Sequence, residues 1–129
     1  MLFQDLLTLH VWEAYVRKTK VMDFFFQVAQ LFKSTDSFLA EKAKASSPLL
    51  QVQLFETAQD WTEKLNALQQ QLNVRQERLV TELKELDERW MNAAERKLMF
   101  GRLEELYRLF SYFARWQSQI QEKVLQLSL

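Results

Sequence analysis

The chain has 129 residues, 48% of them hydrophobic and 13% aromatic, which is enough for one core and too little for two domains of ordinary size. A single glycine and a single proline exclude the turn-rich all-β and α/β classes, so the expected class is all-α, an antiparallel three- or four-helix bundle with long coiled-coil-like helices forming one domain over residues 1–129. Seventeen lysines and arginines balance seventeen aspartates and glutamates, which removes the electrostatic case for nucleic acid or an anionic membrane, and the absence of cysteine excludes disulfides and thiolate metal sites.

The first predicted helix covers about residues 2–33. Its start, "MLFQDLLTLHVWEAY", is apolar but carries Asp5 and Glu13 and lacks a basic n-region, so it reads as neither signal peptide nor membrane span. His10 is the only histidine, which rules out a two-histidine zinc site, and its neighbours Leu7, Leu9, Val11 and Trp12 point to a core or rim position. The basic cluster Arg17, Lys18 and Lys20 is small enough to be a solvated helix face. Further along, Phe24, Phe25 and Phe26 span most of a helix circumference, so one buried face cannot hold all three and at least one ring must meet a second surface.

The short polar run "KSTDS" at 33–37 predicts a break, followed by a short helix over about 36–45. In "ASSPLL", Ser47 suits an N-cap whose side chain accepts from the first free amides, and Pro48 suits the first helical position, which predicts a helix over about 48–73. Leu50, Leu54, Ala58, Trp61, Leu65, Leu68 and Leu72 keep one apolar stripe, which resumes at Leu79, Leu83, Leu86 and Trp90. The gap near Arg75 and Gln76, beside Asn73, is the expected turn, and a fourth helix runs over about 76–127 with Gly101 tolerated inside it. There "RLFSYFARWQ" concentrates Phe110, Tyr112, Phe113 and Trp116, with Phe110 and Phe113 turned inward beside Leu106 and Tyr112 to one side.

Offset by 78, Trp12 falls on Trp90, Met22 on Phe100, Phe25 on Leu103, Val28 on Leu106 and Phe32 on Phe110, the pattern of an internal duplication. The stretch "LKELDERWMNAAERKLMFGRLEELYRLFSYFARWQSQIQEKV" resembles the junction between successive spectrin repeats. There an Arg-Trp pair, here Arg89 and Trp90, lies in a helix that runs unbroken into the next repeat, whose aromatic residues and tryptophan resemble "YFARWQSQIQEKV". The resemblance implies a left-handed three-helix bundle serving as spacer and docking surface in a scaffold. The Trp12 to Trp90 spacing is shorter than that family's repeat, and Phe38 stands where its first helix carries tryptophan. "RWMNAAERKL" also resembles the helical domain of J-type iron-sulfur co-chaperones, although the His-Pro-Asp tripeptide of their other domain is absent.

No catalytic or cofactor-binding residue is expected. Glu82, Glu85 and Glu88 follow an i, i+3 spacing but no histidine joins them, and neither a phosphate loop nor a nucleophile elbow occurs. Glu85 with Arg89 and Glu104 with Arg108 are the expected surface ion pairs. The expected function is a non-catalytic helical protein–protein interaction or scaffold module in the cytoplasm or another reducing compartment, able to self-associate or to join a larger complex. Its expected contact residues are Phe24, Phe25, Phe26, Phe110, Tyr112, Phe113 and Trp116. The alternatives are a small helical chaperone or co-chaperone holding an apolar client, and a nucleic-acid-associated accessory subunit using Tyr15 and the basic cluster.

Overall fold

The computed structural model describes the backbone of residues 2–129 and the side chains of residues 17, 18 and 20–129. The readings made on the side chains of His10, Trp12 and Tyr15 lie outside the described residues. The fold is all-α: α1 (Leu2–Lys44), α2 (Pro48–Arg89) and α3 (Ala93–Ser128) follow one another, with no strand among the described residues. None of these helices is long and apolar enough to cross a membrane, over the described residues. The chain divides into two compact units, Met1–Ala40 and Glu41–Leu129.

In the first unit α1 continues through "KSTDS", where a break near residues 33–36 was expected. The reason is local. The Thr35 hydroxyl donates back to the Leu31 carbonyl at 2.7 Å, so its hydrogen-bonding capacity is met inside the helix and it caps nothing. Phe24, Val28, Thr35 and Phe38 form the buried stripe of α1, with Phe25 half-buried on one edge and Phe26 67% exposed.

The second unit begins with the last turn of α1 and is dominated by α2 and α3, which pack against each other. Ser47 is extended (φ −83°, ψ 132°) and Pro48 opens α2, but the Ser47 side chain makes no capping bond. Its carbonyl accepts from the Gln51 amide at 3.0 Å instead, so the fixed φ of proline sets this start rather than a side-chain cap.

No turn interrupts α2 at Asn73, so the expected helices over 48–73 and 76–127 are replaced by 48–89 and 93–128. Ala58, Leu65, Leu72 and Leu79 are buried at intervals of seven, and Arg75 occupies the gap in the stripe half-buried. Its long aliphatic stem can cover apolar surface while the guanidinium stays near water. Burial, and secondarily the nearby charge of Arg78, lowers the Arg75 pKa from its ordinary value.

The chain reverses at residues 90–92. The Trp90 amide donates to the Asp87 carbonyl at 3.2 Å and the Asn92 amide to the Arg89 carbonyl at 3.0 Å, which closes α2. Asn92 is extended (φ −87°, ψ 108°), and its Oδ1 accepts from the Ala94 amide at 3.0 Å, which opens α3. Glu95 then places an acid in the first turn, where the helix dipole favours it. The helix that the spectrin resemblance carries unbroken past Arg89 and Trp90 therefore ends there.

Met99, Leu106, Phe113, Ile120 and Leu127 give α3 a buried stripe with the same seven-residue interval as α2. At its far end the Lys42 ammonium donates to the carbonyls of Leu127 (2.8 Å) and Gln126 (3.3 Å), supplying the cation that the last turn of α3 lacks. The offset of 78 carries over burial at some positions and not at others: Leu31 is half-buried where Leu109 is buried, and Phe38 buried where Trp116 is half-buried. Val28 and Leu106 are both buried, Phe25 and Leu103 both half-buried, and Met22 and Phe100 both exposed. Gly101 lies inside α3 with open space where a Cβ would stand. Gly101→Ala is expected to raise stability by about 1 kcal/mol through helix propensity alone, seen as a higher urea midpoint; a lowered midpoint would show that this position needs a bare backbone.

Candidate functional site

The seam between α2 and α3 has two unlike flanks, because side chains three or four residues from each buried position fall to one side or the other. On one flank Arg102 reaches across the seam. Its Nε donates to Glu82 Oε1 at 2.6 Å and its Nη2 to Glu82 Oε2 at 2.7 Å, while its Nη1 reaches Glu105 at 2.8 Å. Both Arg102 and Glu82 are largely shielded, and the Glu82 hydrogen bonds raise the Arg102 pKa above its ordinary value. Of the carboxylates Glu82, Glu85 and Glu88, spaced i, i+3 along α2, Glu82 thus joins a bidentate cross-seam pair. The expected Glu104–Arg108 pair is present at 2.8 Å with both partners exposed.

The other flank is apolar. Leu83 and Leu86 from α2, Trp90 at its C-cap and Leu103 from α3 line an open cleft of about 490 Å³, rimmed by Lys84 and Asp87. The Trp90 ring meets Phe100 edge-on at 5.7 Å, and Arg96 lies over its face at 5.4 Å while donating to the Trp90 carbonyl. Trp90 is therefore a half-buried wall of this cleft at the end of α2, not a member of the core stripe. From Phe100 the stripe continues along α3 through Leu103, Tyr107 and Phe110, steps of three, four and three. Phe100 is 57% and Tyr107 74% exposed, and across the seam Val80 and Leu83 are 36% and 40% exposed. A polar clamp ends the groove: the Gln117 amide donates to Gln76 at 2.8 Å and to Asn73 at 3.3 Å.

The seven expected contact residues do not form one site. Phe24 and Phe113 are buried and offer no outer surface, and Phe25 is half-buried. Phe26 is the exposed ring of its trio. Trp116 packs at 5.7 Å from Phe113 and 5.9 Å from Tyr112, over which Arg115 lies at 6.0 Å. Phe110, half-buried, falls on the same side of α3 as Leu103, seven residues on, and does not itself line the cleft. Sequence reasoning missed Phe100, Leu103 and Tyr107 as a group because Phe110 reads as part of one inward stripe with Leu106 and Phe113. The signal was the seven-residue repeat of Phe100 with Tyr107, one position ahead of the core repeat, and of Leu103 with Phe110, four ahead of it.

Among the described residues no cluster of histidine, cysteine or carboxylates could hold a metal ion, and no buried side-chain polar atom lacks a partner. Removing the charge of the cross-seam pair tests how far it fixes the hairpin. Glu82→Gln is expected to lower the unfolding free energy by about 1 to 2 kcal/mol, since the pair is bidentate and partly buried. An unmoved urea midpoint would assign the seam's stability to its apolar stripe alone.

Compared with protein-family models, with curated proteins and with solved structures, the chain matches none.

Proposed function

We propose that this chain is a non-catalytic helical protein–protein interaction module, a subunit or scaffold element that engages another protein through a helix face. The observation that supports it most is the apolar groove beside the α2–α3 seam, exposed to solvent although the adjacent stripe is fully buried. An apolar patch of several side chains next to a completed core is characteristic of interaction surfaces, and aromatic residues such as Trp90, Phe100 and Tyr107 are common anchors within them. Helix-in-groove recognition suits its shape, with walls on two helices and anchors one turn apart. In this reading the kinship with spectrin repeats lies in long amphipathic helices and a docking role, without the continuous junction helix.

The test is a photo-crosslinking phenylalanine analogue placed at Tyr107 in the producing cells. A discrete protein adduct, weaker at the exposed control position Glu63, is expected; equal or absent adducts at the two positions would overturn the reading.

A chaperone reading draws on a different observation, the exposed Met22 and Phe26 one turn apart on α1. In that case Phe26→Ser would reduce suppression of client aggregation while leaving the melting temperature unchanged. An assay indifferent to Phe26→Ser would remove it.

A further inference from the structure

The groove carries a more specific assignment, which rests on the interaction-module reading. We infer that its occupant is a second copy of this chain, the two hairpins pairing about a two-fold axis so that Tyr107 of each enters the cleft of the other between Leu83, Trp90 and Leu103.

The first support is shape. A two-fold interface must be self-complementary, offering a hollow and a projection on the same patch. Here the hollow is the cleft of about 490 Å³ near the turn, and the projection is Tyr107, the most exposed ring of the flank. Tyr107 lies four residues beyond Leu103 on α3, about 6 Å along the helix axis. An axis crossing the groove between these two levels exchanges projection and hollow.

Polarity gives the second support. A buried tyrosine hydroxyl requires a hydrogen-bond partner. The cleft supplies two, the Asp87 carboxylate and the Lys84 ammonium, and neither side chain makes an ion pair or side-chain hydrogen bond among the described residues. The chain also has equal numbers of acidic and basic residues, so two copies approach without net repulsion.

Area is the third. With roughly 150–250 Å² per aromatic side chain, the exposed parts of Phe100, Tyr107, Leu83 and Val80 amount to about 400 Å². Doubled across a two-fold axis and joined by the half-buried Phe110 and Leu103, this comes to about 1,000 Å², where specific interfaces begin. Such an area gives a reversible dimer rather than an obligate one.

The experiment is sedimentation equilibrium on the full chain, with far-ultraviolet circular dichroism on the same samples. The unsubstituted chain is expected to show a concentration-dependent monomer–dimer equilibrium. Tyr107→Glu should weaken dimerisation about 30-fold or more at unchanged helicity, the loss expected of a central anchor. Phe26→Ser, on a different exposed ring, should leave the equilibrium unchanged. A monomer at every concentration, or a dimer indifferent to Tyr107→Glu, would overturn the assignment. If the chain is monomeric while crosslinking at Tyr107 captures a different protein, pairing is overturned and the interaction-module reading stands.

Discussion

The seven-residue interval shared by α2 and α3 is the constraint on which the second unit depends. Leu65, Leu72 and Leu79 on one helix and Leu106, Phe113 and Ile120 on the other are buried on faces that stay together only if both helices keep that interval. A three-residue turn then leaves one antiparallel register available, and that register sets every cross-seam contact. Arg102 reaches Glu82 and Gln117 reaches Gln76 because the stripe and the turn have already fixed the alignment. A slip of one residue on α3 would turn Arg102 and Gln117 away from these partners as well as exposing the leucines.

Polar groups near such a seam carry specificity at some expense of stability. The Arg102–Glu82 pair has both guanidinium and carboxylate paired in two hydrogen bonds, which offsets the desolvation of two partly buried charges. It also closes its flank, since an apolar partner laid there would have to strip water from Glu105 as well. The opposite flank has no such group between Trp90 and Gln117. Its Leu83, Leu103 and Phe110 remain half-covered or exposed with nothing polar to desolvate but the rim. The asymmetry leaves one side of the hairpin closed by a bidentate ion pair and the other apolar and open to solvent, the feature on which the proposed interaction role rests.

Much of the architecture is legible in the sequence, for reasons that separate what could be read from what could not. The scarcity of glycine and proline gives the all-α class, and the Ser47-Pro48 pair marks a helix start because proline tolerates only the first turn. The turn near Asn73 was misplaced because a polar interruption of a stripe resembles a break when the stem of Arg75 is overlooked. The real turn, at Trp90-Met91-Asn92, carries no glycine or proline and announces itself only through Asn92 with Glu95 three residues on, the spacing of a cap and an N-terminal acid. The groove was illegible for a related reason. Two neighbouring stripes of the same period on one helix merge in a one-dimensional list of apolar residues and separate only once it is known which positions the partner helix covers.

That second stripe also constrains what can lie on it. Phe100 and Tyr107, like Leu103 and Phe110, repeat at the interval of the core itself, so the uncovered flank is a second seam with the period of a helix rather than a scatter of apolar residues. A loop or an extended strand would meet one anchor and miss the next, because its side chains recur at other spacings. A straight helix drifts from such a stripe by only about 20° per heptad, so over the short span from Phe100 to Phe110 a helical partner stays in contact with each anchor. In the pairing inferred above, a second copy would bring such a helix together with its own projecting tyrosine and its own cleft.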